Sequence, residues 1–123
     1  METTNLADLY ELDALDWAPI AERLDQGVSM APGTGGPGRH SAWLATIDAD
    51  GSPAVHGIGA LWVEGAFWFE TGERTRKARN LARDPRCSLS LATADFDLVV
   101  EGTAELVNDP PVEADLAARW ATE

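Results

Sequence analysis

The chain is short of cysteine, histidine, positive charge and long apolar runs, and each shortage removes a class of function. One cysteine, Cys87, rules out an internal disulfide and any multi-cysteine metal centre. Two histidines, His40 and His56, leave little material for a zinc site or a nucleophile–base pair. No run approaches the roughly 18 uninterrupted apolar residues of a membrane span. The N-terminal stretch METTNLADLYELDALDW is acidic and has neither the basic nor the apolar region of a signal peptide, so a cytoplasmic location is expected. Nine Lys and Arg against 21 Asp and Glu give a net charge of −12. That balance argues against nucleic acid or an anionic membrane as partner, since both reward positive surface.

What remains suits one domain spanning residues 1–123. Hydrophobic residues at 45% and charged residues at 24% are ordinary for a soluble globular chain. The scarce cations are not spread evenly. Six of the nine, Arg74, Arg76, Lys77, Arg79, Arg83 and Arg86, fall within thirteen positions that hold one acid, Asp84. An acidic chain that gathers its cations in one place has reason to hold an anion there.

Residues 13–27 predict a short helix, with Trp17, Ile20, Ala21 and Leu24 at helical spacing and Gly27 as its stop. Residues 31–38, APGTGGPG, open a Gly/Pro-rich loop running to 39, a lid or a linker. A β-meander is predicted next. Residues 40–47 form a strand with Trp43, Ala45 and Ile47 on one face, and Asp48-Ala49-Asp50-Gly51 is a hairpin turn. Residues 53–63 form the return strand, Glu64-Gly65 turns the chain, and residues 66–71 form an aromatic third strand. Gly57 and Gly59 weaken the second strand, so they serve either a barrel bend or the close approach of a flat ligand.

Thr75 then caps a helix running to Arg83, with Ala78, Leu81 and Ala82 as its buried stripe and Asp84-Pro85 as its end. Strands over 87–93 and 97–107 follow, and residues from Asp109 to 123 are helical in pattern with Val112, Leu116 and Trp120 in register. Five strands with one helix between the third and fourth predict a mainly β small barrel with accessory helices. The pattern stops inside a helix, which suggests that a further strand or more would complete it.

The segment ETGERTRK, residues 70–77, carries the chemistry. A strand ends, a glycine turn follows and a helix opens on Thr75, Arg76 and Lys77. The first turn of a helix offers unpaired N–H groups and partial positive charge, so cations placed there cost a few tenths of a kcal/mol or more unless an anion is present. Arg offers a planar fork and Lys a mobile point charge, which together suit a phosphate. The alternative is a solvated basic face at Arg76, Arg79 and Arg83, to which Arg79 and Arg83 are assigned. No catalytic triad, zinc motif or Walker-type loop is present; GTGGPG lacks the Lys-Ser/Thr that would follow.

The run FWFETGERTRKARNLARDPRCSLSLAT, residues 67–93, resembles the core signature of the pyridoxamine 5′-phosphate oxidase-like family of FMN-binding split barrels. The upstream WLATIDADGSPAVHGIGALWVEG, residues 43–65, is similar to that family's first hairpin. The resemblance implies a split β-barrel, Greek-key-like, that binds FMN or the deazaflavin F420. It implies that Arg76 and Lys77 hold the cofactor phosphate, with Glu70, Thr71 and Thr75 beside them and hydroxyls from the two threonines. It further implies that Val55, His56, Gly57 and Ile58 line the ring, and that a homodimer carries the cofactor at its interface. The pyridoxamine oxidases proper have an Arg at the start of the second strand, where this chain has Pro53-Ala54-Val55, which leaves room for F420. The expected function is hydride transfer to or from a small organic substrate by the bound cofactor; the alternative is a non-catalytic cofactor carrier on the same fold. Cys87 is expected in the core, and Trp43, Trp62 and Trp68 in the core or an interface.

Overall fold

The computed structural model describes residues 2–4, 6, 9, 13–26, 42–93 and 96–121. Nine elements run in the order α1 (Trp17–Asp25), β1 (Ala42–Ile47), β2 (Pro53–Ile58), β3 (Leu61–Val63), β4 (Ala66–Trp68), α2 (Arg76–Arg83), β5 (Arg86–Ala92), β6 (Asp97–Thr103) and α3 (Pro110–Ala121). The 31–39 loop, His40, Gly27 and the first residues of the predicted strand at 40–47 lie outside the described residues.

Four strands form an antiparallel sheet in the order β2-β1-β5-β6, and β3-β4 forms a separate two-stranded sheet. β1 and β2 are a hairpin closed by the predicted turn, where Gly51 adopts φ 86° and its N–H donates to the Asp48 carbonyl at 2.9 Å. A side chain at that φ would be strained, so glycine is required. The β3–β4 hairpin is tighter: Glu64 (φ 52°) and Gly65 (φ 77°) give the positive-φ pair that matches the twist of its flanking strands. The chain then passes through α2 and comes back along the other side of β1, where β5 pairs with it.

Strand alternation decides where the core sits. Ala42, Leu44 and Thr46 of β1, Ala54 and Ile58 of β2, and Leu89 and Leu91 of β5 point to one face and are buried. Phe67, Phe69, Leu81, Cys87, Phe96 and Leu98 pack against this cluster, so Cys87 borders the core as expected and its thiol pKa is raised by burial. Trp43, Ala45 and Ile47 do share a face, but it is the outer one. Trp43 is 56% exposed there, with Val55 at 60% on the adjacent β2 and Val99 at 61% on β6, beyond Ser90 of β5.

Several elements depart from their predicted limits, each for a local reason. The predicted strand 53–63 is two strands in two sheets, because the chain bends at Gly59-Ala60 and buries Ala60 in the core. The third strand stops at Trp68, opposite Leu61, the first residue of its antiparallel partner β3. The last strand stops at Thr103 rather than Val107. Ala104 N still donates to the Pro85 carbonyl at 2.8 Å, but proline has no N–H to return, and the ladder ends. α1 is shorter than predicted, with Leu24 buried and Trp17, Ile20 and Ala21 half-buried on one side. It is held to the second sheet by an edge-on Trp17–Trp62 contact at 6.2 Å and by Trp62 Nε1 donating to Asp25 Oδ1 at 2.9 Å.

α2 has the predicted cap but not the predicted stripe. Thr75 Oγ1 accepts from Ala78 N at 3.2 Å, yet Ala82 is exposed, Ala78 and Leu81 are half-buried, and the fully buried side chain is Asn80. An eight-residue helix reading RKARNLAR has too little apolar surface to dock by packing alone.

Truncating the fully buried Leu44 to Ala is expected to cost about 2–5 kcal/mol of unfolding free energy. Leu106→Ala, at a position 81% exposed, should stay within about 0.5 kcal/mol. Urea titration of both variants checks the assignment of the core face.

Candidate functional site

The polar attachment of α2 sets up the candidate site. Asn80 Nδ2 spends both hydrogens inward, on Thr46 Oγ1 at 3.0 Å and Asp48 Oδ1 at 2.9 Å. Its Oδ1 accepts from Arg83 at 3.0 and 3.2 Å, and Arg83 also reaches the Ile47 carbonyl at 3.3 Å. The amide is therefore fully satisfied, as a buried one must be. Arg83 is thus a structural clamp as well as part of the exposed face assigned to it.

Asp48, at the end of β1, meets the start of α2. Arg76 Nε donates to Asp48 Oδ1 at 2.8 Å while its Nη2 pairs with Oδ2, a two-pronged ion pair across 28 residues of sequence. The first turn of α2 contains no acid of its own, so Asp48 brings a negative charge to that turn from the hairpin. Hydrogen bonds from Arg76 and then Asn80 hold the Asp48 carboxyl down at about 2, against an ordinary 3.8, and the Arg76 pKa is raised in return.

Beside this pair is an open cleft of about 420 Å³ lined by Gly57, Ile58, Gly59, Glu70, Thr71, Gly72 and Lys77. Three of these seven positions are glycine, they come from the end of β2 and from the turn before α2 and its first turn, and the charged side chains among them are Lys77 and Glu70. Thr71 and Thr75 are joined through their hydroxyls at 2.8 Å, and Thr75 Oγ1 donates to the Gly72 carbonyl at 2.8 Å. The two hydroxyl hydrogens thus brace the turn that shapes the cleft. The size is that of a small-ligand pocket, and Lys77 at the first turn of α2, with Glu70 in the same lining, supplies the group there that could meet an anion such as a phosphate.

Of the residues expected at the site, Gly57, Ile58, Glu70, Thr71 and Lys77 meet at the cleft. Thr75 stands behind it as helix cap, and Arg76 is turned to Asp48. Val55 is on the outer sheet face, whereas His56 points inward opposite Leu44 with a buried Nδ1 that has no protein partner. A strand cannot present Val55, His56, Gly57 and Ile58 side by side on one face, so a ligand along it would meet backbone at Gly57 and side chains only alternately. Sequence reading left out Asp48 and Asn80 as site-shaping residues. Of the two roles expected for Gly57 and Gly59, the structure shows the bend, at Gly59-Ala60, and both glycines line the cleft. Among the described residues, no group of His, Cys, Asp and Glu could hold a metal ion, and no helix is long and apolar enough to cross a membrane.

The family model described as pyridoxamine 5′-phosphate oxidase matches residues 37–123. A pyridoxine/pyridoxamine 5′-phosphate oxidase of Cupriavidus taiwanensis is 31% identical over 126 residues, covering 94% of this chain and 59% of its own length. The chain thus spans little more than half of the curated relatives it matches. Among solved structures, a conserved hypothetical protein of Mycobacterium tuberculosis superposes with a TM-score of 0.62 at 30% identity, covering 80% of this chain and 57% of that one. A structure named as an F420 reductase gives 0.54 at 26% identity, over 63% of this chain and 64% of its own.

The carboxylate at position 48 makes a testable contribution. Its pKa is depressed in the folded state, so its stabilisation is complete above the unfolded value near 3.8 and is lost as pH falls through about 2. Wild type should therefore exceed Asp48→Asn in stability by a constant margin above about pH 5, and the margin should shrink towards zero near pH 2. Thermal unfolding of both proteins across that range measures it.

Proposed function

The chain belongs to the pyridoxamine 5′-phosphate oxidase-like family of FMN-binding split barrels, and on that premise we propose that it is an oxidoreductase using FMN or F420 bound by its phosphate. The observation that carries the proposal is the glycine-rich cleft with Lys77 at the first turn of α2. Lys77 and the free N–H groups of that turn hold the phosphate. Gly57 and Gly59 let the ring lie close to the backbone at the end of β2, and Ile58 offers apolar contact. The bound ring supplies hydride transfer. The protein's part is to bind, orient and exclude water, which accords with a cleft whose only ionisable side chains among the described residues are Lys77 and Glu70.

The outer face of the four-stranded sheet supports a second element of the reading. Trp43 of β1, Val55 of the adjacent β2 and Val99 of β6, beyond Ser90 of β5, are exposed apolar side chains on that face, of the kind that a second copy of the chain would cover. A homodimer built on this face would place a partner near the β2 edge of the cleft.

Fluorescence titration with FMN and with F420 tests the assignment. One or both should bind, and Lys77→Ala should weaken binding about tenfold to a hundredfold, the loss expected for a charge-assisted hydrogen bond. Unchanged affinity in Lys77→Ala would remove the phosphate from the start of α2. Hydride transfer by the loaded protein separates an enzyme from a carrier, and light scattering should give twice the monomer mass.

A further inference from the structure

The cleft holds two opposite chemistries side by side. The Lys77 ammonium only donates hydrogen bonds, the Glu70 carboxylate only accepts them, and both line it. Neither is joined by a hydrogen bond or ion pair to another described residue, whereas the carboxylates of Asp48 and Asp84 are each held by an arginine. Thr71 adds no side-chain donor, because its hydroxyl hydrogen and that of Thr75 serve the turn. A ligand that is purely an anion satisfies Lys77 and meets Glu70 as a like charge. A ligand that also carries O–H donors close to its phosphate satisfies both, and an O–H on a carboxylate is a charge-assisted bond, stronger than a neutral one. Glu70 belongs to the same segment as Lys77, residues 70–77, so what it meets is the part of the ligand next to the phosphate.

We propose that Glu70 is a specificity residue that reads hydroxyl groups on the chain between phosphate and ring, so that the cleft takes a polyhydroxylated phosphate ester in preference to the same ester on a plain alkyl chain. The inference rests on the proposed phosphate site at the start of α2. Glu70 acts in two directions. It accepts hydrogen bonds from a hydroxylated linker, and against an alkyl linker it is an unmatched acceptor that repels the phosphate. Glu70 is exposed and the cleft is open, so an unmatched carboxylate keeps much of its water. The discrimination is therefore of moderate size, well short of the roughly ten-thousand-fold reached where an enclosed polar group is left unpaired.

The test uses ligands that differ only in the linker. FMN and its N10-phosphopentyl analogue, which keeps ring and phosphate and lacks the linker hydroxyls, are titrated by fluorescence into wild type and variants, and the matching deazaflavin pair is run alongside. Wild type should bind the hydroxylated member about tenfold or more tightly, as expected for a charge-assisted hydrogen bond. Glu70→Ala should weaken the hydroxylated member about tenfold and leave the alkyl member bound at least as tightly as before, whereas a general loosening of the cleft would weaken both. Glu70→Gln, which keeps an acceptor and loses the charge, should fall between. Glu73→Ala, at an exposed position outside the lining, should leave the ratio unchanged. A ratio unmoved in Glu70→Ala, or equal binding of the two linkers by wild type, overturns the inference; if Lys77→Ala still weakens binding, the phosphate site stands. No binding of either pair, or affinities indifferent to Lys77→Ala, overturns the phosphate site and the inference with it.

Discussion

Everything near the cleft depends on how a polar helix is fastened to a sheet. α2 lies against β1 through the amide of Asn80, which reaches Thr46 within the strand and Asp48 just beyond it. Only Leu81 adds apolar contact with the core cluster from that helix. Hydrogen bonds specify position more sharply than packing of one leucine would, because a buried amide left unmatched costs about 1–3 kcal/mol. The fixed register of α2 carries Lys77 to the cleft and Arg76 to Asp48. Position of the helix and chemistry of the site are thus one arrangement, centred on the end of β1.

The same arrangement explains why a net charge of −12 is compatible with an anion site. Charge matters locally. At the start of α2 Asp48 pairs with Arg76, and Glu70 lines the same cleft as Lys77. Arg86 is likewise tied to Asp84, whose carboxyl is lowered to about 2 by that contact. Two of the six clustered cations are thus paired with acids of the chain, so the cluster is less basic in space than it reads along the chain.

Much of this was legible from the residues alone, and the limits follow from what local sequence encodes. Gly51 and Glu64-Gly65 marked their turns because positive φ is a local demand, and Thr75 marked the start of α2 because a cap is satisfied three residues away. The basic cluster and the strand–glycine–helix order led to the cleft. Three things were out of reach. The split of residues 53–63 between two sheets depends on where the chain must bend to bury Ala60. The burial of Asn80 instead of Ala82 depends on partners 32 and 34 residues away. The diversion of Arg76 to Asp48 joins a turn residue to a helix start across the fold, and in sequence Asp48 looked only like part of a hairpin. Trp43, Ala45 and Ile47 were correctly placed on one face, but period-two alternation does not say which face is inside.

The most direct measurement is a backbone amide NMR titration with the phosphorylated flavin or deazaflavin. The account predicts that the largest shifts fall at residues 57–59 and 70–77, with the amides of Arg76 and Lys77 moving downfield as they meet the phosphate. Saturable shifts centred elsewhere, with residues 70–77 unmoved, would contradict a phosphate site at the start of α2.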